Sequence, residues 1–190
     1  DGSGSGWAGI TGIKDIGITY VNTDYGKGLA DAIAAAFEAG GGKVAANVAH
    51  EDGKADYRAE LGQIAAAGTT THVDIAYAQG SGKTILQQAI ESGDFTTYVG
   101  GDGMVNDELF AGLDTAAVEN MIALRPGSPT SVGIDAFNAL AGAAGVDIKS
   151  TYVPQSYDAA FLIALALEKT GGKKEGLSQA VRDVSSAPGE

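Results

Sequence analysis

The sequence predicts a doubly wound α/β domain with a mainly parallel, five-stranded sheet, followed by helices that this sheet does not need. Three observations predict it: β-rich runs alternate with longer helical runs from Ile13 to Arg125, the connections between them are short, and the alternation stops at Pro126. Strands and helices that alternate with short loops build parallel sheets through right-handed crossovers, with helices on both faces.

The first strand is marked by Ile16, Ile18 and Tyr20 at period two, and the first helix by Leu29, Ile33 and Phe37 at i, i+4, i+8. Gly40-Gly41-Gly42 turns the chain into a second strand, Lys43 to Ala49, and Tyr57, Leu61, Ile64 and Ala65 line one face of the next helix. A third strand is expected over His72 to Ala78, followed by a helix presenting Ile85, Leu86, Ala89 and Ile90. Tyr98-Val99-Gly100 makes a short fourth strand, Asp107 to Leu113 a brief helix, and Val118 to Leu124 a fifth strand that stops at Arg125-Pro126-Gly127.

Beyond Pro126 only helical periodicity remains. Ile134, Phe137, Leu140 and Ala141 form one amphipathic face, and Leu177, Ala180, Val181 and Val184 a weaker one. Between them, Ser156 to Lys169 is apolar around most of its circumference and is expected to be buried. Helices of this kind draw their stability from packing, so a second sheet is missing from the pattern.

Composition narrows the function. The chain has 190 residues, no cysteine and a net charge of −12, with its 12 Lys and Arg scattered. Disulfides, thiolate metal sites and Cys nucleophiles are excluded, and the charge disfavours nucleic acid and anionic membranes. No run reaches the ~20 apolar residues that span a bilayer. Residues 1–12, opening on Asp-Gly-Ser-Gly-Ser-Gly, are expected to be a linker or junction, and any signal peptide is expected to have been removed.

Three motifs need weighing. Gly4-Ser5-Gly6-Trp7-Ala8-Gly9 has dinucleotide-loop spacing, but no strand precedes it and no acid ends a second strand in the expected place. Gly80-Ser81-Gly82-Lys83-Thr84 follows a strand and opens a helix, where N–H groups and the helix dipole favour an anion. A phosphate-binding loop needs glycine where Tyr77 stands, so a nucleotide hydrolase using Gly80 to Thr84 is the alternative and a capped helix start the simpler reading. His50 and His72 lack metal-ligand spacing, while Glu51, Asp52 and Asp56 read as a solvated loop and helix start. No cofactor is expected.

The remaining candidates lie beyond the carboxyl ends of the predicted strands, where open α/β sheets bind ligands. They are Val21-Asn22-Thr23-Asp24-Tyr25-Gly26-Lys27-Gly28-Leu29, Tyr77-Ala78-Gln79-Gly80-Ser81-Gly82, and Gly100-Gly101-Asp102-Gly103-Met104. Together they offer aromatic faces, amide and hydroxyl groups and one carboxylate. For Asp102 alone, a turn role between glycines weighs as much as a ligand role.

At these residues the chain resembles the leucine/isoleucine/valine-type periplasmic amino-acid-binding proteins, whose type I fold serves ABC importers. The turn around Tyr25, the helix start Gly82 to Ala89 and the turn Gly100 to Gly103 carry the likeness, which runs over about Ile13 to Glu190. The resemblance implies a flavodoxin-like lobe over 13–125 and no catalysis. Tyr25 would pack on an amino-acid ligand, Asp102 would pair with its α-ammonium, and Tyr77, Ala78 and Gln79 would lie on the loop facing the cleft. It also implies a periplasmic location and an ABC permease as partner. By the same resemblance, Arg125-Pro126-Gly127 is an interlobe crossover, and residues 126–190 are helices that pack on a first lobe absent from this chain. A chain of this kind is expected to be a fragment or half-protein, with self-association through exposed helices or a purely structural role as the other outcome.

Overall fold

The computed structural model describes residues 12–127, 132–148 and 150–186. The chain divides into two compact units, one ending at Arg125 and the other starting at Pro126. The first is the doubly wound α/β domain expected: β1 (Asp15–Val21), α1 (Asp24–Ala39), β2 (Lys43–His50), α2 (Arg58–Ala66), β3 (Thr71–Ile75), α3 (Lys83–Ser92), β4 (Thr97–Gly100) and β5 (Ile122–Ala123). Strand order is β2-β1-β3-β4-β5 and every pairing is parallel.

Alternation along the strands divides the core in two. Ile16 and Ile18 of β1 and Val73 and Ile75 of β3 meet Ala30 and Phe37 of α1 on one face. On the other, Leu61 and Ile64 of α2 and Ile85, Leu86 and Ala89 of α3 pack with Tyr57, Tyr98 and Met104. Each large side chain so buried contributes about 1.5 to 3 kcal/mol before the entropy of ordering it is counted.

Local chemistry sets the start of α1. Thr23 is extended, and its Oγ1 accepts from the Gly26 N–H at 3.2 Å, the capping bond of a helix start. Gly26 is required there: a Cβ would lie 1.9 Å from the Val21 carbonyl oxygen. This close approach turns the chain directly from β1 into α1 and fixes where the intervening residues point.

Three expectations are corrected. The third strand ends at Ile75 rather than Ala78, because the chain leaves the sheet into a wide turn over Ala78–Gly82 in which the Gly80 and Gly82 N–H groups both donate to the Tyr77 carbonyl. The fifth strand is only Ile122–Ala123: Asp114 accepts from the Ala116 N–H at 3.1 Å and caps a tight helical turn over Thr115–Val118, which takes up Val118, the residue at which the strand was expected to begin. The brief helix expected near residue 107 is a single turn, Asp107–Phe110, capped by Asn106.

The second unit consists, among its described residues, of α4 (Val132–Ala143), α5 (Val153–Lys169) and α6 (Leu177–Val184). Tyr157 packs between Phe137 of α4 and Phe161 one turn along α5, with ring centroids 5.0 and 4.6 Å away. Lys169 pairs with Asp183 to tie α5 to α6. The expectation that α5 is buried is not met: Phe161, Ile163 and Leu165 are each about half exposed, and Ala166 alone of the helix is buried. Two neighbouring helices cannot enclose a third that is apolar around most of its circumference.

Candidate functional site

In a sheet of order 2-1-3-4-5, successive crossovers leave β1 in opposite directions, so a crevice opens beyond the carboxyl ends of β1 and β3. Tyr25 stands in the first turn of α1, directly after β1. Tyr77 follows β3, and Asp102 follows β4. The structure brings the three together. The Tyr25 and Tyr77 rings stack with centroids 5.2 Å apart and planes at 23°. The Tyr25 hydroxyl donates to Asp102 Oδ1 at 2.9 Å.

Glycine makes this convergence possible. A Cβ on Gly103 would lie 2.4 Å from the Ala76 carbonyl oxygen and 3.1 Å from the Tyr25 hydroxyl. The β4 turn therefore slides against the end of β3 and under both tyrosines. The Gly101 N–H donates to the Asp74 carbonyl at 3.2 Å, fastening the turn to β3. Asp102 is half-buried and Tyr77 is 41% exposed, so a carboxylate lies beside an open aromatic face.

The other two expected residues are placed differently. Ala78 is buried and its methyl group belongs to the core, leaving only its backbone for a ligand. Gln79 is exposed, and its Nε2 donates to Glu108 Oε2 at 3.3 Å. Lys83 reaches the carbonyl oxygen of the same glutamate. Glu108 gave no sequence signal, since it lies in the brief helix expected over Asp107 to Leu113, away from the strand-end turns.

The Gly80-to-Thr84 segment does open a helix, α3, but its anion is already supplied. Asp52 Oδ1 accepts from the Ser81 N–H at 2.6 Å. Asp52 is thus more than part of a solvated loop, and its carboxylate stands where a phosphate would be received. His50, the last residue of β2, lies 3.0 Å through Nε2 from the Ser81 hydroxyl. Burial lowers the His50 pKa below its ordinary value, with the nearby Glu60 and Asp52 acting against that shift.

A second polar cluster lies deeper, on the α2–α3 side of the sheet. Thr19 Oγ1 donates to Asp74 Oδ1 at 3.1 Å and sits 2.8 Å from His72 Nε2. The hydroxyl thus bridges the carboxyl and the imidazole. All three side chains are buried. Burial pushes the Asp74 carboxyl up to about 8 and the His72 imidazole down to about 3. Both groups are therefore uncharged near neutrality, the arrangement that costs least with no cation beside them. No group of three or more His, Asp or Glu among the described residues could hold a metal ion.

The chain and its fold match known proteins. A model of the periplasmic binding protein family matches residues 4–187. The chain belongs to that family. Gly4 to Gly9, weighed above as a dinucleotide loop, falls inside this match, although it lies outside the described residues. Among curated relatives of this periplasmic binding protein is the Leu/Ile/Val-binding protein BraC3 of Rhizobium johnstonii, 28% identical over 186 residues, covering 94% of this chain and 49% of the relative.

Solved structures agree on the fold. The leucine binding protein LivK of Thermotoga maritima superposes with a TM-score of 0.76 at 22% identity, over 96% of this chain and 54% of that one. LivJ of Streptococcus pneumoniae, solved in complex with isoleucine, gives 0.67 at 21% identity, over 95% and 52%. The likeness to leucine/isoleucine/valine-type proteins drawn from the sequence is borne out at the level of family and fold. The chain spans about half the length of these relatives.

Proposed function

We propose that this chain is a ligand-binding lobe of a solute-binding protein that captures an amino acid for an ABC importer and does not transform it. The observation that carries the reading is the meeting of Tyr25, Tyr77 and Asp102 at the crevice beyond β1 and β3. A ligand ammonium leaving water needs a carboxylate and further hydrogen bonds to offset its desolvation, and an apolar side chain needs a wall. Asp102 supplies the first, with Oδ1 steadied by Tyr25. Tyr77 supplies the second with its open face, and Gln79 and the Ala78 backbone flank it on the same loop. BraC3 is named for leucine, isoleucine and valine, and LivJ was solved with isoleucine, which directs the choice toward branched-chain amino acids.

The ligand's carboxylate would be held by a second lobe, on which α4 to α6 would pack through the apolar faces they leave open. A lobe alone forgoes the simultaneous contacts of a closed clamp, so its affinity is low. A periplasmic location and a membrane permease partner follow from the same reading. Among the described residues, no helix is long and apolar enough to cross a membrane.

Titration of the chain with L-leucine, followed by NMR, tests this. Resonances of Tyr25, Tyr77 and Asp102 should shift, while 4-methylpentanoate, which lacks the ammonium, should leave them in place. Asp102→Asn should weaken leucine binding by about tenfold or more, the worth of a charge-assisted pair. Equal binding of both ligands, or an unaffected Asp102→Asn protein, would remove Asp102 as the anchor. The nucleotide reading predicts instead that magnesium and ATP raise the thermal midpoint, an outcome the Asp52 carboxylate at Ser81 argues against.

A further inference from the structure

We propose that Asp52 is a positioning residue for the crevice: its carboxylate holds the turn after β3 in the shape that lays Tyr77 against Tyr25. The functional consequence rests on the amino-acid-capturing reading above, and the structural consequence does not.

The first N–H groups of a helix have no partner within it and must find an acceptor. In the helical turn over Ala78–Gly82 that leads into α3, that acceptor comes from another element. Asp52 lies two residues beyond the end of β2, and its Oδ1 takes the Ser81 N–H at 2.6 Å. Gly80 lets it come so near, since a Cβ there would lie 2.6 and 2.9 Å from the two carboxylate oxygens. His50 adds a second tie from the same strand end, 3.0 Å from the Ser81 hydroxyl. The β2 exit is therefore fastened twice to the turn that follows β3.

That turn carries Tyr77. The Gly80 and Gly82 N–H groups donate to the Tyr77 carbonyl at 2.9 and 3.0 Å, so the shape of the turn fixes the Tyr77 peptide. The Tyr77 ring is 41% exposed. It reaches Tyr25, whose hydroxyl reaches Asp102. An unbroken run of contacts thus leads from Asp52 through Ser81 and Tyr77 to the carboxylate proposed to meet the ligand. A glycine-rich turn with the marks of an anion site has its anion built into the chain, where it serves as a fastener.

Ring-to-ring NOEs between Tyr25 and Tyr77 in the unliganded chain, with L-leucine titration as the second readout, test the proposal. Asp52→Ala should lose the NOEs and weaken leucine binding about fivefold, the scale of a lost cap. Asp52→Asn keeps an acceptor oxygen for the Ser81 N–H and should restore both. Gly80→Ala approaches from the other side: its Cβ displaces the carboxylate and should mimic Asp52→Ala, and combining the two should cost no more than either. Should Asp52→Ala fail to fold, Gly80→Ala and Asp52→Asn still decide the matter. Ring contacts that survive both Asp52→Ala and Gly80→Ala would overturn the proposal. So would contacts that vanish while leucine affinity holds. A wild-type chain that ignores leucine refutes the amino-acid reading, and the role of Asp52 in placing Tyr77 is then decided by the NOEs alone.

Discussion

The Tyr25 hydroxyl donates to Asp102 Oδ1 at 2.9 Å, joining the start of α1 to the turn after β4 across 77 positions of sequence. Its ring meanwhile stacks on Tyr77. Tyr25 therefore acts on a ligand in part through its neighbours, by orienting a carboxylate and backing an exposed ring.

Tyr25→Phe separates these two duties. The stack should persist, and the carboxylate should lose its neutral donor. Leucine affinity is expected to fall about fivefold, in keeping with the net worth of about 1 kcal/mol for such a hydrogen bond. In the Asp102→Asn background the same change should cost little further. Calorimetric or NMR titration of the four proteins checks this, and full additivity would show that Tyr25 does not work through Asp102.

The buried Thr19–His72–Asp74 cluster should shape the dependence of stability on pH. Asp74 titrates near its ordinary 3.8 when unfolded and at about 8 when folded, so its contribution is complete below pH 3.8 and declines as pH rises toward 8. His72, ordinarily at 6.5, is lowered to about 3 in the fold, so stability is lost as pH falls from 6.5 toward 3. Between pH 4 and 6.5 the opposing slopes cancel. From 6.5 to 8 Asp74 acts alone, and the slope approaches about 1.4 kcal/mol lost per pH unit. Thr19, which donates to Asp74 from β1, brings no positive charge to offset an ionised Asp74. Urea unfolding at several pH values measures the slope. Asp74→Asn should abolish the alkaline decline, and a decline that persists would assign it elsewhere.

Two glycines of α1 should respond in opposite directions. Gly26→Ala forces a Cβ to within 1.9 Å of the Val21 carbonyl oxygen and is expected to cost about 2 to 3 kcal/mol. Gly28 has nothing within 4 Å of its absent Cβ, so Gly28→Ala should gain about 0.5 to 1 kcal/mol from helix propensity. Thermal unfolding of both variants compares them, and equal effects would contradict the close approach of α1 to β1.

The open faces of α5 should bind an apolar probe. Phe161 and Leu165 are each 52% exposed, so Phe161→Ser with Leu165→Ser should cut anilinonaphthalene sulfonate fluorescence by about half or more. Light scattering on the same pair reports whether self-association uses this surface. Unchanged dye binding would mean that the helices are already covered.

Much of this architecture is legible in the sequence, for reasons visible in single elements. Period-two apolar residues at Ile16, Ile18 and Tyr20, the face of Leu29, Ile33 and Phe37, and the Gly40–Gly42 turn are local signals, and they suffice for β1, α1 and their order. β5 was overestimated because Val118 is buried like a strand residue yet sits in a turn capped by Asp114. Helix α5 was expected to be buried because its periodicity reports apolar faces, not what covers them.

For the site, the sequence by itself determined which turns carry polar and aromatic residues beyond the strand ends, and the resemblance to leucine/isoleucine/valine-type proteins picked out Tyr25, Tyr77, Ala78, Gln79 and Asp102 within them. Only the tertiary structure decided that Tyr25, Tyr77 and Asp102 touch, since parallel pairing sets β1, β3 and β4 side by side and carries their following turns to one edge of the sheet. Asp52 was equally beyond local reading. Its partner, the Ser81 N–H, lies 29 positions away, and a backbone donor leaves no mark in a sequence.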